Sequence, residues 1–145
     1  GFSIRFSEKE VRQIGRTGRG VRGIRLKDGD LVAGACVVEP GIAILTVTDK
    51  GYGKRTELAE YPVQGRGGMG VITIKCNEKI GLVIGVEQVV EGDEILVITS
   101  DGNIVRMRVN EISVIGRNTQ GVRVVSLKDD NQVVCIEKLM EESET

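Results

Sequence analysis

Gly15-Arg16-Thr17-Gly18-Arg19-Gly20-Val21, Gly65-Arg66-Gly67-Gly68-Met69-Gly70-Val71 and Gly116-Arg117-Asn118-Thr119-Gln120-Gly121-Val122 are three copies of one pattern, G-R-x-x-x-G-V. Their starts lie 50 and then 51 residues apart. A period of this size marks a chain built from one supersecondary unit used several times. The flanks keep the same offsets. Ile44-Leu45-Thr46-Val47-Thr48 aligns with Ile95-Leu96-Val97-Ile98-Thr99, and each is followed by a turn, Asp49-Lys50-Gly51 or Ser100-Asp101-Gly102. A second strand then carries Arg55 or Arg106, and Gly1-Phe2-Ser3-Ile4-Arg5-Phe6 aligns with it through Arg5.

After each copy of the pattern comes a third apolar segment: Val21 to Leu26, Val71 to Cys76, Val122 to Leu127. Polar turns lead to a fourth: Leu31 to Val38, Gly81 to Val86, Gln132 to Ile136. Short Val/Ile-rich runs separated by Gly, Asp and Asn turns read as strands. In Ile104-Val105-Arg106-Met107-Arg108-Val109 the period of two puts Val105, Met107 and Val109 on one face and the arginines on the other. The expected fold is therefore all-β: a pinwheel or propeller-like array of about three four-stranded blades, roughly half of a six-bladed disc. Residues 1–140 hold the repeats, with boundaries near 43 and 94, and 141–145 form a polar tail. The first unit lacks a counterpart of Ile44 to Thr48, which predicts either a piece of a longer array or a second chain completing the sheet. Helix is confined to a turn or two at Ser7–Val11, Glu57–Glu60 or Glu137–Glu142.

Aromatic residues are only 3% of the 145, so the core must be aliphatic. The formal charge is −1, but it is unevenly spread. Residues 1–30 hold eight basic side chains against four acidic ones, and residues from 120 onward hold three against six. To a polyanion the local field matters more than the total. Cys36, Cys76 and Cys135 read as small buried hydrophobes in a reducing compartment, and no signal segment or membrane span is expected. The sequence has no histidine and no Cys-x-x-Cys, which argues against zinc and excludes a histidine-based triad. There is no P-loop pattern, and Asp101, Asp129 and Asp130 fall in turns. Tyr52 and Tyr61 have no cluster of activating groups beside them. No catalytic residue, cofactor or metal is expected.

The candidate functional residues are basic and recur with the repeat. Glycines shape the G-R-x-x-x-G-V loop, and the shared side chain between them is an arginine, at 16, 66 and 117. Loops of a repeat array emerge on one face, so a row of such loops would offer planar guanidinium forks to successive phosphates. A second set lies on the strands: Arg5, Arg55 and Arg106, extended by Arg12, Arg19, Arg22, Arg25, Lys54, Lys75, Arg108 and Arg123. Arg22 and Arg123 are equivalent positions, as are Arg25 and Lys75. A charged outer strand face is ordinarily solvated, and repetition alone can record duplication.

The stretches Tyr61 to Ile72, Ile112 to Arg123 and Gly15 to Ile24 resemble the C-terminal domain repeats of bacterial DNA gyrase A. The likeness covers nearly the whole chain in register; the corresponding repeats of topoisomerase IV are a weaker match. The resemblance implies a β-pinwheel of usually six blades that exchange strands, with double-stranded DNA wrapped around a basic rim in support of negative supercoiling. It also implies the remaining regions of gyrase A and the gyrase B protein as partners, a cytoplasmic, nucleoid-associated location, and catalytic, ATPase and Mg²⁺ sites in regions outside this chain. The family's Gln-Arg-Arg-Gly-Gly-x-Gly box is met in degenerate form by Gln64, Arg66, Gly67, Gly68 and Gly70, with Gly65 where the first arginine belongs. Three units instead of six also leave open a homodimer that completes the disc. The alternative function is a propeller-like scaffold for proteins with no direct role on DNA.

Overall fold

The computed structural model describes residues 1–140. The expected tail, 141–145, lies outside the described residues. Among the described residues nine strands form three antiparallel sheets. In the largest, β2 (Ala43–Thr48) and β3 (Tyr52–Glu57) are central, flanked by β5 (Val83–Val89) and β8 (Val122–Arg123) in the order β5-β2-β3-β8. A three-stranded sheet has the order β7-β6-β9, with β6 (Glu94–Thr99) between β7 (Ile104–Arg108) and β9 (Val133–Lys138). The smallest pairs β1 (Phe2–Ser3) with β4 (Val71–Ile72). No α-helix occurs among the described residues. One-turn 3₁₀ helices at Glu8–Glu10, Leu58–Glu60 and Val109–Glu111 sit at equivalent points of the three repeats.

The sheets join one repeat to the next. Phe2 and Ser3 pair with Ile72 and Val71, and one repeat further on Tyr52 and Gly53 pair with Arg123 and Val122. The strand exchange implied by the family resemblance is thus present at both internal junctions. It accounts for the last glycine of the pattern. Gly70 and Gly121 both have φ +78; a Cβ on Gly70 would collide with Ser3 O, and one on Gly121 would lie 2.7 Å from Gly53 O. Only a residue without a side chain lets the loop turn directly onto the neighbouring strand.

Burial follows strand position. β2 is buried at every residue from Ile44 to Thr48 because β3 and β5 flank it and neighbouring layers cover both faces. β7, at a sheet edge, keeps the predicted alternation, with Val105 and Met107 partly buried and Ile104, Arg106 and Arg108 exposed. The main core gathers Leu45, Val47 and Val89 from one sheet with Ile95, Val97, Val133 and Ile136 from the other, closed by Val109 and Ile112. It is aliphatic, as the composition requires. Each fully buried Leu or Ile contributes roughly 1.5–3 kcal/mol relative to exposure. The second cluster, Ile44, Leu58 and Tyr61, contains the one aromatic side chain in these cores, whose hydroxyl is 2.5 Å from Thr73 Oγ1.

Several strand expectations need correction. Val21 to Leu26 and Leu31 to Val38 form no strand, and Leu31, Val32 and Val37 are 87%, 65% and 75% exposed. The counterparts of these segments in later repeats pair with β1 and β3, or with β2 and β6. The first repeat has no such partner among the described residues, and an apolar run without a ladder to join does not become a strand. Val71 to Cys76 and Val122 to Leu127 pair for only two residues each. Glu137 and Lys138, considered for a helical turn, extend β9.

Candidate nucleic-acid interface

The loop arginines are built into the junctions between repeats. Arg66 donates from Nε to Glu10 O (2.9 Å) and from Nη1 to Arg22 O (3.1 Å). Arg117 donates from Nε to Glu60 O (2.6 Å) and from Nη1 to Ile72 O (2.8 Å). Their backbone amides face Glu10 Oε1 at 3.3 Å and Glu60 Oε1 at 3.4 Å. Each guanidinium therefore clamps the preceding repeat at the end of its 3₁₀ turn and at its third segment. Arg16, at the equivalent place in the first repeat, is exposed, and no hydrogen bond engages it among the described residues. The three arginines were expected to present donors outward together. In Arg66 and Arg117 two donors each are instead committed to backbone carbonyls, because the guanidinium reaches the neighbouring repeat before it reaches solvent.

The strand arginines clamp in the opposite direction. Arg5 Nη1 reaches Tyr61 O (3.0 Å) and Leu58 O (3.3 Å) of the following repeat. Arg55 Nε reaches Ile112 O (2.7 Å), and its Nη1 pairs with Glu91 at 3.0 Å. Parallel bridges Arg5↔Val63 and Arg55↔Val114 lie alongside. Arg106, the third of the set, has an exposed side chain paired with Glu94, and Arg108 lies 3.9 Å from the same carboxylate.

Lys54 and Arg55 were expected on an outward charged face and are buried, Lys54 completely and Arg55 to 7% exposure. The reason is that the following repeat packs over this strand: the loop at 116–119 closes on Lys54, and Ile112 O takes the Arg55 guanidinium, whereas no such neighbour covers β7 among the described residues. Lys54 Nζ donates to Gly116 O (2.7 Å), Arg117 O (2.5 Å) and Thr119 Oγ1 (2.9 Å), holding the third loop from within. Burial lowers its pKa to about 8, with Glu60 opposing and Arg117 reinforcing the shift.

The remaining basic side chains are exposed: Arg12, Arg19, Arg22, Arg25, Lys75, Arg108 and Arg123. Two have a fixed and repeated seat. Arg25 N donates to Gly68 O and Lys75 N donates to Thr119 O, both at 2.8 Å. Each therefore stands beside the loop of the next repeat, one repeat apart. Arg123 Nη2 bonds Tyr52 Oη at 3.0 Å and lies 5.5 Å from that ring's centre. In the degenerate box, Gln64 N donates to Arg5 O (2.8 Å), Gly67 N to Gly23 O (2.6 Å), and Gly68 O receives Arg25 N. The box loop is thus stitched to the preceding repeat through its backbone. Glu10 and Glu60 were not singled out in the sequence, yet Glu10, Glu60 and Glu111 recur at spacings of 50 and 51, the same signal that exposed the arginines.

Among the described residues there is no group of three or more acidic, cysteine or histidine side chains suited to a metal. No helix among them is long and apolar enough to cross a membrane.

An all-β array whose units exchange strands, with arginines clamping each unit to the next, defines a repeat domain of the propeller class. The chain belongs to the family described as DNA gyrase C-terminal domain, beta-propeller, which matches residues 1–39, 43–89 and 93–134. It is 47% identical over 143 residues to the DNA gyrase A protein of Pseudomonas aeruginosa, covering 99% of this chain and 16% of the relative. It is 49% identical over 141 residues to the DNA gyrase A protein of Escherichia coli K12, covering 97% of this chain and again 16% of the relative. A solved DNA gyrase A C-terminal domain superimposes with TM-score 0.90 at 30% identity, covering 97% of this chain and 48% of that one. The C-terminal domain of DNA topoisomerase IV gives 0.86 at 26% identity, over 96% and 44%. The chain thus spans about a sixth of the length of the curated relatives it matches. What it matches there is the C-terminal accessory domain and not the catalytic one.

Proposed function

We propose that this domain binds double-stranded DNA along its rim without reading sequence, bends it, and so supports negative supercoiling by gyrase. The observation that carries the reading is the repeated seat of Arg25 and Lys75. The same backbone bond at the same length sets a cation beside successive loops. Arg12, Arg19 and Arg22 add to the field at the first repeat, and Arg123 occupies the position of Arg22 in the third. Exposed guanidinium and ammonium groups at regular spacing suit a phosphate backbone, whose contacts fix register and carry no base information. The clamping residues Arg5, Lys54, Arg55, Arg66 and Arg117 would act indirectly, by holding the spacing between seats. Elastic bending costs roughly 1–6 kcal/mol for a 40–90° bend, so several such contacts must act together.

On this reading the units divide near residues 43 and 94. The partners are DNA, the rest of gyrase A and the gyrase B protein, in the cytoplasm at the nucleoid. The test is DNA affinity against salt for the chain and for the fourfold variant Arg12→Ala, Arg19→Ala, Arg22→Ala, Arg25→Ala. Affinity should fall steeply with salt, and the variant should flatten the dependence. Binding indifferent to salt, or an unchanged slope in the variant, overturns the proposal. A protein partner retained in high salt with no DNA shift would favour the scaffold reading.

A further inference from the structure

We propose that Tyr52, Lys79 and Arg123 form one seat for a phosphate group of the DNA backbone at the junction of the second and third repeats, with Tyr52 as the residue that positions both cations. The seat rests on the DNA-binding reading above and adds to it a side chain without charge. Tyr52 opens β3 and pairs with Arg123 on β8, so the two side chains leave the sheet on the same face. Arg123 Nη2 donates to Tyr52 Oη at 3.0 Å, and the guanidinium lies 5.5 Å from the ring centre. Lys79 Nζ lies 6.0 Å from the same centre. Both cations are thus within reach of one aromatic quadrupole. The first repeat keeps part of the arrangement: Phe2 is the counterpart of Tyr52, and Lys27 Nζ lies 4.4 Å from its ring centre. There Ile72 stands where Arg123 does, and the ring has no hydroxyl.

The seat is held from beneath. Tyr52 N donates to Thr48 Oγ1 at 3.2 Å, and that buried hydroxyl donates in turn to Ile80 O. Asn77 Oδ1 accepts from Lys79 N at 2.9 Å and from Ile80 N at 3.0 Å, which closes the turn that carries Lys79. Ring and lysine are therefore fixed to one buried threonine, and the arginine is fixed to the ring. The phenol oxygen accepts from Arg123, which leaves its own hydrogen to donate outward. Among the described residues neither Lys79 nor Arg123 pairs with a carboxylate. The Arg123 hydrogen bond above all, with the charges of Arg123 and Lys79, holds the phenol below its usual pKa. Three donors gathered at one ring, two of them charged, suit an oxyanion with several acceptor oxygens. The DNA backbone presents such an oxyanion at every nucleotide, whatever the base.

The test uses the full 145-residue chain grown with fluorotyrosine, which labels its two tyrosines and nothing else. The signal missing from Tyr52→Phe assigns the pair. Duplex DNA at low salt should shift the Tyr52 resonance and leave that of Tyr61, buried in the second core cluster, in place. Tyr52→Phe removes the hydroxyl and keeps the ring, as Phe2 does in the first repeat. It should weaken DNA binding about threefold or more at unchanged melting temperature. Its loss should not add to that of Arg123→Ala, since the phenol acts through the arginine. Inorganic phosphate, the second probe, should move the same resonance only at far higher concentration than DNA phosphate does. DNA that binds while the Tyr52 resonance stays fixed, or losses that simply add, would overturn the seat and leave the rim reading standing. A resonance that answers to inorganic phosphate and not to DNA would overturn the backbone as its source. No DNA binding at all would overturn both the seat and the rim.

Discussion

The Lys54 ammonium lies 2.5 Å from the carbonyl oxygen of Arg117, the residue that itself clamps the third repeat to the second. One buried cation thus fixes the loop that carries another. Lys54→Met keeps the length of the side chain and removes its donors, stranding the Gly116 and Arg117 carbonyls and Thr119 Oγ1. The expected cost is about 1–3 kcal/mol, read as a lower denaturant midpoint at unchanged slope. An unaltered midpoint would show that the loop is held by other means.

The same lysine predicts a pH effect. Its folded pKa is lowered to about 8, below the value near 10.4 of an unfolded chain. Between these values the unfolded state binds more protons than the folded one, so this group makes stability rise as pH increases from 8 toward 10. Chemical denaturation across that window should show the rise in the wild type and its loss in Lys54→Met.

Arg66→Ala and Arg117→Ala each remove two bonds to the backbone of the preceding repeat. Each should cost about 1.5–3 kcal/mol or more, and amide exchange should quicken at the 3₁₀ turn that each one clamps. Arg16→Ala should change neither in the isolated chain.

Gly121→Ala places a methyl group 2.7 Å from Gly53 O at a positive φ. Strain of roughly 1–3 kcal/mol is expected, with exchange protection lost between β3 and β8. Gly102→Ala, at φ +84 but with open space around it, should cost less.

For DNA, the slope of log affinity against log salt should shrink by about 0.9 for every phosphate that a variant no longer neutralises. The fourfold change at Arg12, Arg19, Arg22 and Arg25 is expected to shrink it most. Lys75→Ala should shrink it by the equivalent of about one phosphate. A curve superimposable on the wild type in both cases would remove the rim from consideration.

Periodicity made the architecture legible. The arginine between two glycines, returning every fifty-odd residues, revealed the unit, and strand alternation placed Arg106 and Arg108 outward. What it did not reveal was which strands a following repeat covers. Arg55 and Arg106 occupy equivalent positions on second strands, yet one is buried and the other exposed, because a following repeat packs over Arg55 and none covers Arg106 among the described residues. Local pattern holds no record of that cover. Nor could Val21 to Leu26 declare that it lacked a partner, since its residues are as β-prone as those of β4. The acidic residues at 10, 60 and 111 were readable by the same spacing as the arginines, but Glu10 and Glu60 also accept through their main-chain oxygens, where side-chain chemistry gives no clue.

That last point bears on how such repeats diverge. Arg66 grips the oxygen of Arg22 and Arg117 the oxygen of Ile72, one position bearing a cation and the other a hydrocarbon. Since every residue owns that oxygen, drift at the gripped position leaves the grip intact. Evolution is thereby free to repaint the electrostatic coat of each blade while its skeleton stays the same.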